Sequence, residues 1–442
     1  MEPAPASASM VAPRPGPPSA PPPTLPPLTG AAGLLLRLPL LLAGTALLLP
    51  LLLTAAILVA RMIIPNGPLA TTLAGLKSAP LVGMQNAAPA PGWPGAGLFT
   101  GAWQAPAEAW WNMHLPLRGP VVRATNQLYY SLFRKSYMYG EQIVIGREQT
   151  LYEQRFLYRY CNTDRHPFTA AQFDRWAAGI KQIEDYFRQR GQGFIYMLSP
   201  FKATIHPQLL PPGLACDEPR RPEYTLAVAA LARAGVHTLD ASRLLLAARA
   251  QYPAELLFPR GGTHWTMLGV GLSMLELARL SPQAGGPPLP VPEFSYRVTR
   301  TPLHDDADLL NLLNLWHPDR DYPVPELRIA PVPAGTTPAP RLALVGTSFL
   351  VQPMEFFTLN GEFSEIDHYY YFALAHHRYA NHAWVSGPGS FQAPKNYDAL
   401  FAADLVVLEE SEAQLDSEHA RRLRALLESN VAPAPQAPIP RP

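Results

Sequence analysis

Charge is scarce in this chain of 442 residues: Asp, Glu, Lys and Arg make up 16% of it, and the formal net charge is +1. Proteins that bind nucleic acid through its phosphates carry a strongly basic surface, and this composition indicates none. The same balance gives no acidic field that would attract a cationic partner. We therefore expect function to reside in a local site.

Cysteine is also scarce, with two residues in the whole chain. Cys161 and Cys216 lack the spacing of a zinc site, and a pair this sparse fits either one disulfide or two buried thiols. We favour the disulfide. A disulfide would place the domain in an oxidising space outside the cytoplasm.

Proline, in contrast, is abundant at 52 residues and is concentrated at the two ends of the chain. It is dense between Met1 and Pro27 and again between Ala432 and Pro442. Segments of this composition cannot bury enough apolar surface to fold, so we expect disordered tails.

One long apolar run, Leu38 to Ala60, contains no charge and is bounded by Arg37 and Arg61. At 1.5 Å per residue it is long enough to cross a hydrocarbon core of about 30 Å. A cleaved signal peptide is the alternative, but its apolar region would be only ~7–15 residues. We predict an uncleaved transmembrane anchor, whose orientation the few flanking charges do not decide.

The composition divides the chain into five segments. These are a cytoplasmic Pro-rich tail (1–31), the transmembrane anchor (32–61), a Gly/Pro/Ala-rich stalk (62–107), a folded domain (108–430) and a second Pro-rich tail (431–442).

The folded domain alternates helical patterns with short apolar strands. Phe173 to Arg190 has helical spacing and precedes the apolar run Gly193 to Ser199, and Glu223 to Ala234 precedes Val236 to Leu239 in the same way. Further strands are predicted at Leu342–Val345 and Asp404–Glu409. This alternation is typical of a parallel sheet covered by helices, an α/β fold.

Ser348 lies directly after one of these strands, in Gly346-Thr-Ser348. Open α/β sheets place their ligands at the carboxyl ends of the strands, so Ser348 is a candidate nucleophile. A hydroxyl needs a base to take its proton, and the best candidate is His264 in Gly261-Gly-Thr-His-Trp265. Alternatively, Ser348 caps the following helix and His264 is a buried histidine bonded to a carbonyl.

Six short motifs occur in the order seen in one family. They are Pro116-Leu-Arg118, Ile143-Val-Ile-Gly146 with Leu151-Tyr152, Leu198-Ser-Pro-Phe-Lys-Ala203, Gly261-Gly-Thr-His-Trp265, Val345-Gly-Thr-Ser-Phe349 and Val406-Val-Leu-Glu409. Together they resemble the AlgX/AlgJ-like SGNH-hydrolase-like family of polysaccharide O-acetyltransferases over roughly Glu108 to Leu415.

The resemblance implies a flavodoxin-like, three-layer α/β/α domain that transfers acetyl groups to an exopolysaccharide or cell-wall glycan. It implies Ser348 and His264 as catalytic residues, no cofactor, and a separate multi-pass membrane protein that delivers acetyl. Combined with the predicted anchor, it implies a single-pass inner-membrane protein with its domain in the periplasm.

The chain departs from the family at one position, because the aspartate of the Asp-x-His-Trp block is replaced by Gly262. A glycine can neither orient the imidazole nor stabilise its charge. Asp164, Asp217 or Asp240 could supply the carboxylate, although Asp240 is more easily explained as a helix N-cap. A backbone carbonyl, a Ser-His dyad and an inactive site are the other possibilities.

Aromatic and basic side chains near these motifs are candidates for binding the polymer, since aromatic faces stack on sugars. We predict Trp265, Tyr370, Tyr371 and Arg378 in this role. His368, His376, His377 and His382 cluster nearby, but their spacing fits no metal-ligand pattern. We favour Tyr and His side chains that line a carbohydrate groove, and a packed, half-exposed helix explains them almost as well.

Three hypotheses follow: an O-acetyltransferase, an acetyl-esterase in which water replaces the sugar, and a non-catalytic polysaccharide-binding protein. The transferase hypothesis is preferred on the resemblance alone.

Overall fold

The computed structural model describes residues 52, 80–83, 89–93, 100–114, 118–136, 143–161, 168–214, 222–290, 293–330, 340–359 and 363–429. The chain divides into two compact units. One comprises Met1–Lys77 with Ala96–Leu117, and the other comprises Ser78–Gly95 with Arg118–Pro442.

In the first unit, the described part is Leu52 and residues 100–114. Helix α1 spans Gln104–His114, and the neighbouring rings of Trp110 and Trp111 lie 6.2 Å apart. The predicted domain start at Glu108 falls inside this helix. The predicted span Leu38–Ala60 lies, apart from Leu52, outside the described residues, and no described helix is long and apolar enough to cross a membrane.

The second unit contains the sheets and the remaining described helices. The helices are α2 (Arg118–Phe133), α3 (Gln154–Tyr160), α4 (Ala170–Arg188), α5 (Lys202–Ile205), α6 (Pro222–Ala234), α7 (Ala241–Ala248), α8 (Met267–Leu280), α9 (Asp308–Leu312), α10 (Val351–Thr358), α11 (Asp398–Ala402) and α12 (Glu418–Ser429). The strands are β1 (Ile143–Ile145), β2 (Leu151–Glu153), β3 (Gly193–Ser199), β4 (Thr238–Asp240), β5 (Phe294–Thr299), β6 (Val324–Ile329), β7 (Arg341–Gly346), β8 (Glu365–Tyr370), β9 (Ala375–Ala380), β10 (Ala383–Ser386) and β11 (Leu405–Ser411).

Seven strands form the central sheet in the order β10-β9-β8-β7-β11-β3-β4. The five strands from β8 to β4 run parallel, whereas β9 and β10 are antiparallel additions at one edge. Strands β1 and β2 form a separate antiparallel pair, as do β5 and β6. The parallel strands share one carboxyl edge, where the loops after β3, β7 and β11 meet.

Helices cover both faces of this sheet because its central strands are apolar on both sides. Ile195 and Met197 of β3 belong to one buried cluster together with Leu268 and Met274 of α8. The alternate residues of the strand, including Tyr196, belong to a second cluster with helices α4, α6 and α12. The predicted α/β domain with a mostly parallel sheet is therefore confirmed.

Most predicted core elements are found close to their expected positions. Strand β3 has the bounds that the apolar pattern gives it, and helix α4 begins a few residues earlier than predicted. It starts there because Thr169 forms a reciprocal capping box with Gln172.

The region of the clustered histidines is the main misjudged segment. His368 lies on β8 and His377 on β9, where they face each other across an antiparallel pair with their Nδ1 atoms 3.3 Å apart. His376 contacts Asp367 instead, at 2.7 Å. The alternative of a half-exposed helix is wrong, because this segment forms two paired strands. The periodicity of the sequence did not indicate these strands.

The cysteine prediction is tested at one of its two positions. Cys161 is disulfide-bonded and buried. Cys216, the other cysteine of the chain, lies outside the described residues.

Candidate active site

Ser348 is the first residue of a short 3-10 turn, Ser348–Leu350, between β7 and α10. The turn is capped by the neighbouring Thr347, whose hydroxyl accepts a hydrogen bond from the Phe349 N–H at 3.2 Å. The hypothesis that Ser348 itself is a cap is therefore wrong, and its hydroxyl is available at the carboxyl edge.

Gly346 precedes this turn because of close packing against a neighbouring strand. Its φ is not positive, and it is the last residue of β7. A Cβ at this position would lie 2.6 Å from Oε2 and 2.8 Å from Cβ of Glu409 on the adjacent strand β11. Glycine is needed because the Glu409 side chain passes directly over it.

His264 reaches Ser348 from the loop that leads into α8. Thr266 caps that helix, its hydroxyl accepting from the Gly269 N–H at 3.3 Å. The His264 Nε2 atom lies 2.8 Å from the Ser348 Oγ atom, and His264 is only 9% exposed. The two residues predicted from separate motifs are thus within hydrogen-bonding distance.

Asp308 contacts the other nitrogen of the imidazole, with its Oδ2 atom 2.8 Å from His264 Nδ1. Its Oδ1 atom accepts hydrogen bonds from the backbone N–H groups of Thr263, at 2.7 Å, and Leu309, at 2.6 Å. These donors fix the carboxylate so that it faces His264. The structure therefore contains an Asp-His-Ser series of hydrogen bonds.

None of the aspartates considered from the sequence occupies this position. Asp240 caps α7, accepting from the Arg243 N–H at 2.9 Å, and its second oxygen accepts from the Tyr224 hydroxyl at 2.6 Å. Asp164 and Asp217 lie outside the described residues. The available signal for Asp308 was the aspartate-rich stretch His304-Asp-Asp-Ala-Asp308.

Two glycines allow the Asp308 segment to lie against the histidine loop. A Cβ on Gly262 would lie 2.0 Å from the Asp305 carbonyl oxygen, and one on Gly261 would lie 2.2 Å from the Tyr322 hydroxyl. The Leu310 N–H donates to the Gly261 carbonyl at 2.9 Å. The residue that replaces the family's aspartate is thus the residue that lets Asp308 approach.

The charges around His264 favour its protonated form. Burial opposes the charge, but the hydrogen bond and negative charge of Asp308 outweigh it and raise the pKa of His264. Donor atoms of His264, Asp305 and Asp308 lie within 4.8 Å of one another, a spacing that could hold a cation. Since His264 and Asp308 already bond to each other, we interpret the group as a triad with an additional carboxylate beside it.

Strand β2 and the loop after β3 hold the histidine loop in place. The Lys202 ammonium donates to the carbonyls of Leu151, at 2.7 Å, and Arg260, at 3.2 Å, while the Thr263 hydroxyl donates to Glu153 at 2.8 Å. Lys202 is fully buried, which lowers its pKa to about 7. Both Lys202 and Leu151 belong to the quoted motifs, but their contact with the histidine loop was not foreseen.

The predicted polymer-binding residues occupy different kinds of position. Tyr370 is half-buried and pairs in register with Gly346, and the Tyr371 N–H donates to the Gly346 carbonyl at 2.7 Å. These two tyrosines therefore lie beside the Ser348 turn, and their contact with substrate stays a prediction.

Trp265 contradicts its predicted role, whereas contact of Arg378 with substrate stays a prediction. Trp265 is fully buried, with its ring 6.1 Å from that of Phe349, because it anchors the histidine loop in the core. Arg378 pairs in register with Asp367, partway along β8, and its guanidinium contacts Glu365 and Asp367. Sequence adjacency to a motif did not distinguish a supporting side chain from an exposed one.

A mostly parallel α/β sheet with serine, histidine and aspartate hydrogen-bonded in series at its carboxyl edge is the arrangement of SGNH-hydrolase-like proteins. The family model described as the SGNH hydrolase-like domain of the acetyltransferase AlgX matches residues 144–359. The chain is also 27% identical over 311 residues to the probable alginate O-acetylase AlgJ of Pseudomonas aeruginosa, a match that covers 65% of this chain and 73% of that protein. The chain is thus similar to the SGNH hydrolase-like O-acetyltransferases of the AlgX/AlgJ family.

Two solved structures of this family are among those similar to the chain. The O-acetyltransferase domain of Pseudomonas putida AlgJ matches with 20% identity and a TM-score of 0.43, covering 65% of this chain and 99% of that one. Pseudomonas aeruginosa AlgX matches with 16% identity and a TM-score of 0.42, covering 65% of this chain and 67% of that one.

We predict that Gly262→Asp, which restores the family's residue, impairs the protein instead of improving it. The new Cβ would collide with the Asp305 carbonyl and push Asp308 away from His264. Overpacking of this kind costs about 1–3 kcal/mol. The temperature of thermal unfolding and the rate of acetyl release from p-nitrophenyl acetate should both decrease. A variant with a faster rate and an unchanged unfolding temperature would contradict the assignment of Asp308 as the partner of His264.

A second prediction concerns the pKa of His264. Because Asp308 raises it, Asp308→Asn should lower the pKa, so that the neutral base persists to lower pH. NMR titration of the ¹⁵N-labelled imidazole measures this shift directly. Asp240→Asn is the matched control, and an equal titration curve in the two variants would show that Asp308 does not set the pKa.

Proposed function

We propose that this chain transfers acetyl groups to a hydroxyl of a polysaccharide through an acyl-enzyme on Ser348. The observation that carries the proposal is the series of two hydrogen bonds, each 2.8 Å long, from Asp308 through His264 to Ser348. The similarity to this family supports the reaction class, and the geometry supports the choice of residues.

In the first half-reaction, Ser348 Oγ attacks the carbonyl carbon of an acetyl donor while its proton moves to His264 Nε2. Asp308 remains ionised and stabilises the imidazolium through Nδ1–H. When the tetrahedral intermediate collapses, the bond to the leaving group breaks and His264 returns the proton to that group. Acetyl-Ser348 remains.

The negative oxygen of the intermediate needs a hydrogen-bond donor within the Ser348 turn. The N–H groups of Thr347 and Leu350 already donate to Glu409 and to the Thr347 carbonyl, and that of Phe349 donates to the Thr347 hydroxyl. We assign the Ser348 N–H to the oxyanion. One such donor contributes about 10²–10³ in rate.

In the second half-reaction, His264 takes a proton from the acceptor hydroxyl as its oxygen attacks the acetyl-serine carbonyl. The ester bond to Ser348 then breaks, and the serine regains its proton from His264. Water in place of the sugar would give an esterase by the same steps.

The acceptor is proposed to be an alginate-type polysaccharide or another glycan, from the name of the AlgJ relative. Tyr370 and Tyr371 offer half-buried aromatic faces beside the nucleophile's turn for stacking on the sugar. The non-catalytic hypothesis rested on the missing aspartate, and Asp308 removes that reason.

We further propose that Leu38–Ala60 anchors the protein in the inner membrane with its acetyltransferase domain in the periplasm. A single span cannot carry acetyl groups across a bilayer. A multi-pass membrane protein is therefore proposed as the source of acetyl.

The triad predicts a characteristic pattern of mutant activities. Ser348→Ala and His264→Ala should each abolish acetyl transfer, and the double variant should be hardly worse, since residues that act as a unit are non-additive. Asp308→Asn should cost up to about 10⁴ in rate. Acetyl transfer from p-nitrophenyl acetate is measured with and without an oligosaccharide acceptor.

Asp240→Asn, remote from Ser348, is the control and should retain activity. Acceptor-dependent acetylated sugar supports a transferase, whereas acetate release alone supports an esterase. Unchanged transfer by folded Ser348→Ala protein would end the serine mechanism.

Topology is tested with a reporter that is active only outside the cytoplasm, fused after Pro442. We expect activity from the full chain and its loss with Leu49→Arg, because a charge at the centre of a span costs about 2.5–3.5 kcal/mol in membrane insertion. Activity restricted to a cytoplasmic reporter would overturn the proposed location.

A further inference from the structure

Glu409 is a fully buried glutamate at the carboxyl end of β11, next to the Ser348 turn. Its Oε2 atom accepts from both the N–H of Thr347, at 2.7 Å, and the hydroxyl of Thr347, at 2.9 Å. Its Oε1 atom accepts from the hydroxyl of Ser199, at the end of β3. One carboxyl group thus links two neighbouring strands to the residue before the nucleophile.

The surroundings of Glu409 are built around this contact. Gly346 has no side chain, and any Cβ there would collide with the Glu409 carboxyl. Thr347 is held at its N–H and hydroxyl by Glu409, and its hydroxyl also accepts from the Phe349 N–H. The direction of the Ser348 side chain follows from the Thr347 backbone, because the two residues are covalently joined.

We propose that Glu409 is a positioning residue for the nucleophile and acts through Thr347. The inference rests on the proposed function of Ser348, and it adds a residue that touches neither the imidazole nor the hydroxyl. Without the carboxyl, the Thr347 N–H would be buried with no acceptor, and the turn would shift to find one. A displacement of about 1 Å at the nucleophile can cost about 10²-fold in rate.

The protonation of Glu409 is compatible with this role. Burial raises its pKa, opposed by the hydrogen bonds from Ser199 and Thr347. The Oε2 atom can accept from the Thr347 donors whether or not Oε1 carries a proton, since the Ser199 hydroxyl can either donate to Oε1 or accept from it. An amide of the same shape should therefore replace the carboxyl.

Glu410, the next residue on β11, offers a matched comparison. It is equally buried, but it accepts from the Trp176 indole, at 3.1 Å, and from the Tyr196 hydroxyl, at 3.0 Å. Its side chain belongs to the opposite face of the sheet, away from the Ser348 turn. Substitutions there should reproduce the stability cost of losing a buried glutamate without the catalytic effect.

The experiment compares Glu409→Gln, Glu409→Met, Glu410→Gln and Glu410→Met in the full chain. For each variant, thermal unfolding is recorded. The release of p-nitrophenol from p-nitrophenyl acetate is followed through the burst and into the steady state to determine kcat and KM. We expect Glu409→Met to lose about 10²-fold in kcat with little change in KM. Glu409→Gln should stay within about tenfold of the original kcat.

Both Met variants should be destabilised, but Glu410→Met should keep its kcat per folded molecule. If Glu409→Met retains kcat, or if Glu410→Met loses it equally, the positioning role is overturned. If Glu409→Met does not fold, Thr347→Ser and Thr347→Val are compared in its place. The serine keeps the hydroxyl and should keep kcat, whereas the valine should not. Equal kcat in the two variants would overturn the positioning role.

Failure of the proposed function gives a different result. In that case the unmodified protein shows no burst, or Ser348→Ala shows the same burst. A burst that depends on Ser348 but not on Glu409 refutes the positioning role alone.

Discussion

The site depends on the close approach of two backbone segments, the Gly261–Gly262 turn and the residues from Asp305 to Asp308. The approach is possible only because neither glycine carries a Cβ, and it is fixed by the hydrogen bond from Leu310 to Gly261. It places a carboxylate on His264 from a segment that follows the histidine in the chain. A single packing arrangement thus accounts both for glycine in place of the family's aspartate at position 262 and for the contact of Asp308 with His264.

A second constraint comes from the end of β11, where three buried glutamates each hold a different part of the fold. Glu409 holds the Ser348 turn, Glu410 holds Trp176 and Tyr196, and Glu412 accepts from the Phe201 N–H at 3.0 Å. Buried carboxyl groups are tolerated only where donors surround them. Glu409 and Glu412 take donors from loops at the carboxyl edge, so the central strand fixes those loops relative to His264 and Ser348.

The histidine loop is supported from the other side by contacts that the reaction itself does not use. Lys202 joins the carbonyls of Leu151 and Arg260, and Trp265 fills the core beneath. Leu151, Lys202 and Trp265 lie within motifs quoted for the family, and their positions explain why such motifs extend beyond Ser348 and His264. A residue next to a catalytic one in sequence therefore often supports it instead of touching substrate.

Sequence alone determined the α/β class, the bounds of β3, and the pairing of Ser348 with His264 in one site. It could do so because apolar periodicity is local and because the resemblance to the family singled out one serine and one histidine. It did not identify Asp308, misassigned Trp265, and did not foresee the strands that carry His368 and His377. Each of these depends on which distant segment packs against another, and on whether a side chain points into the core, so only the tertiary structure decided them.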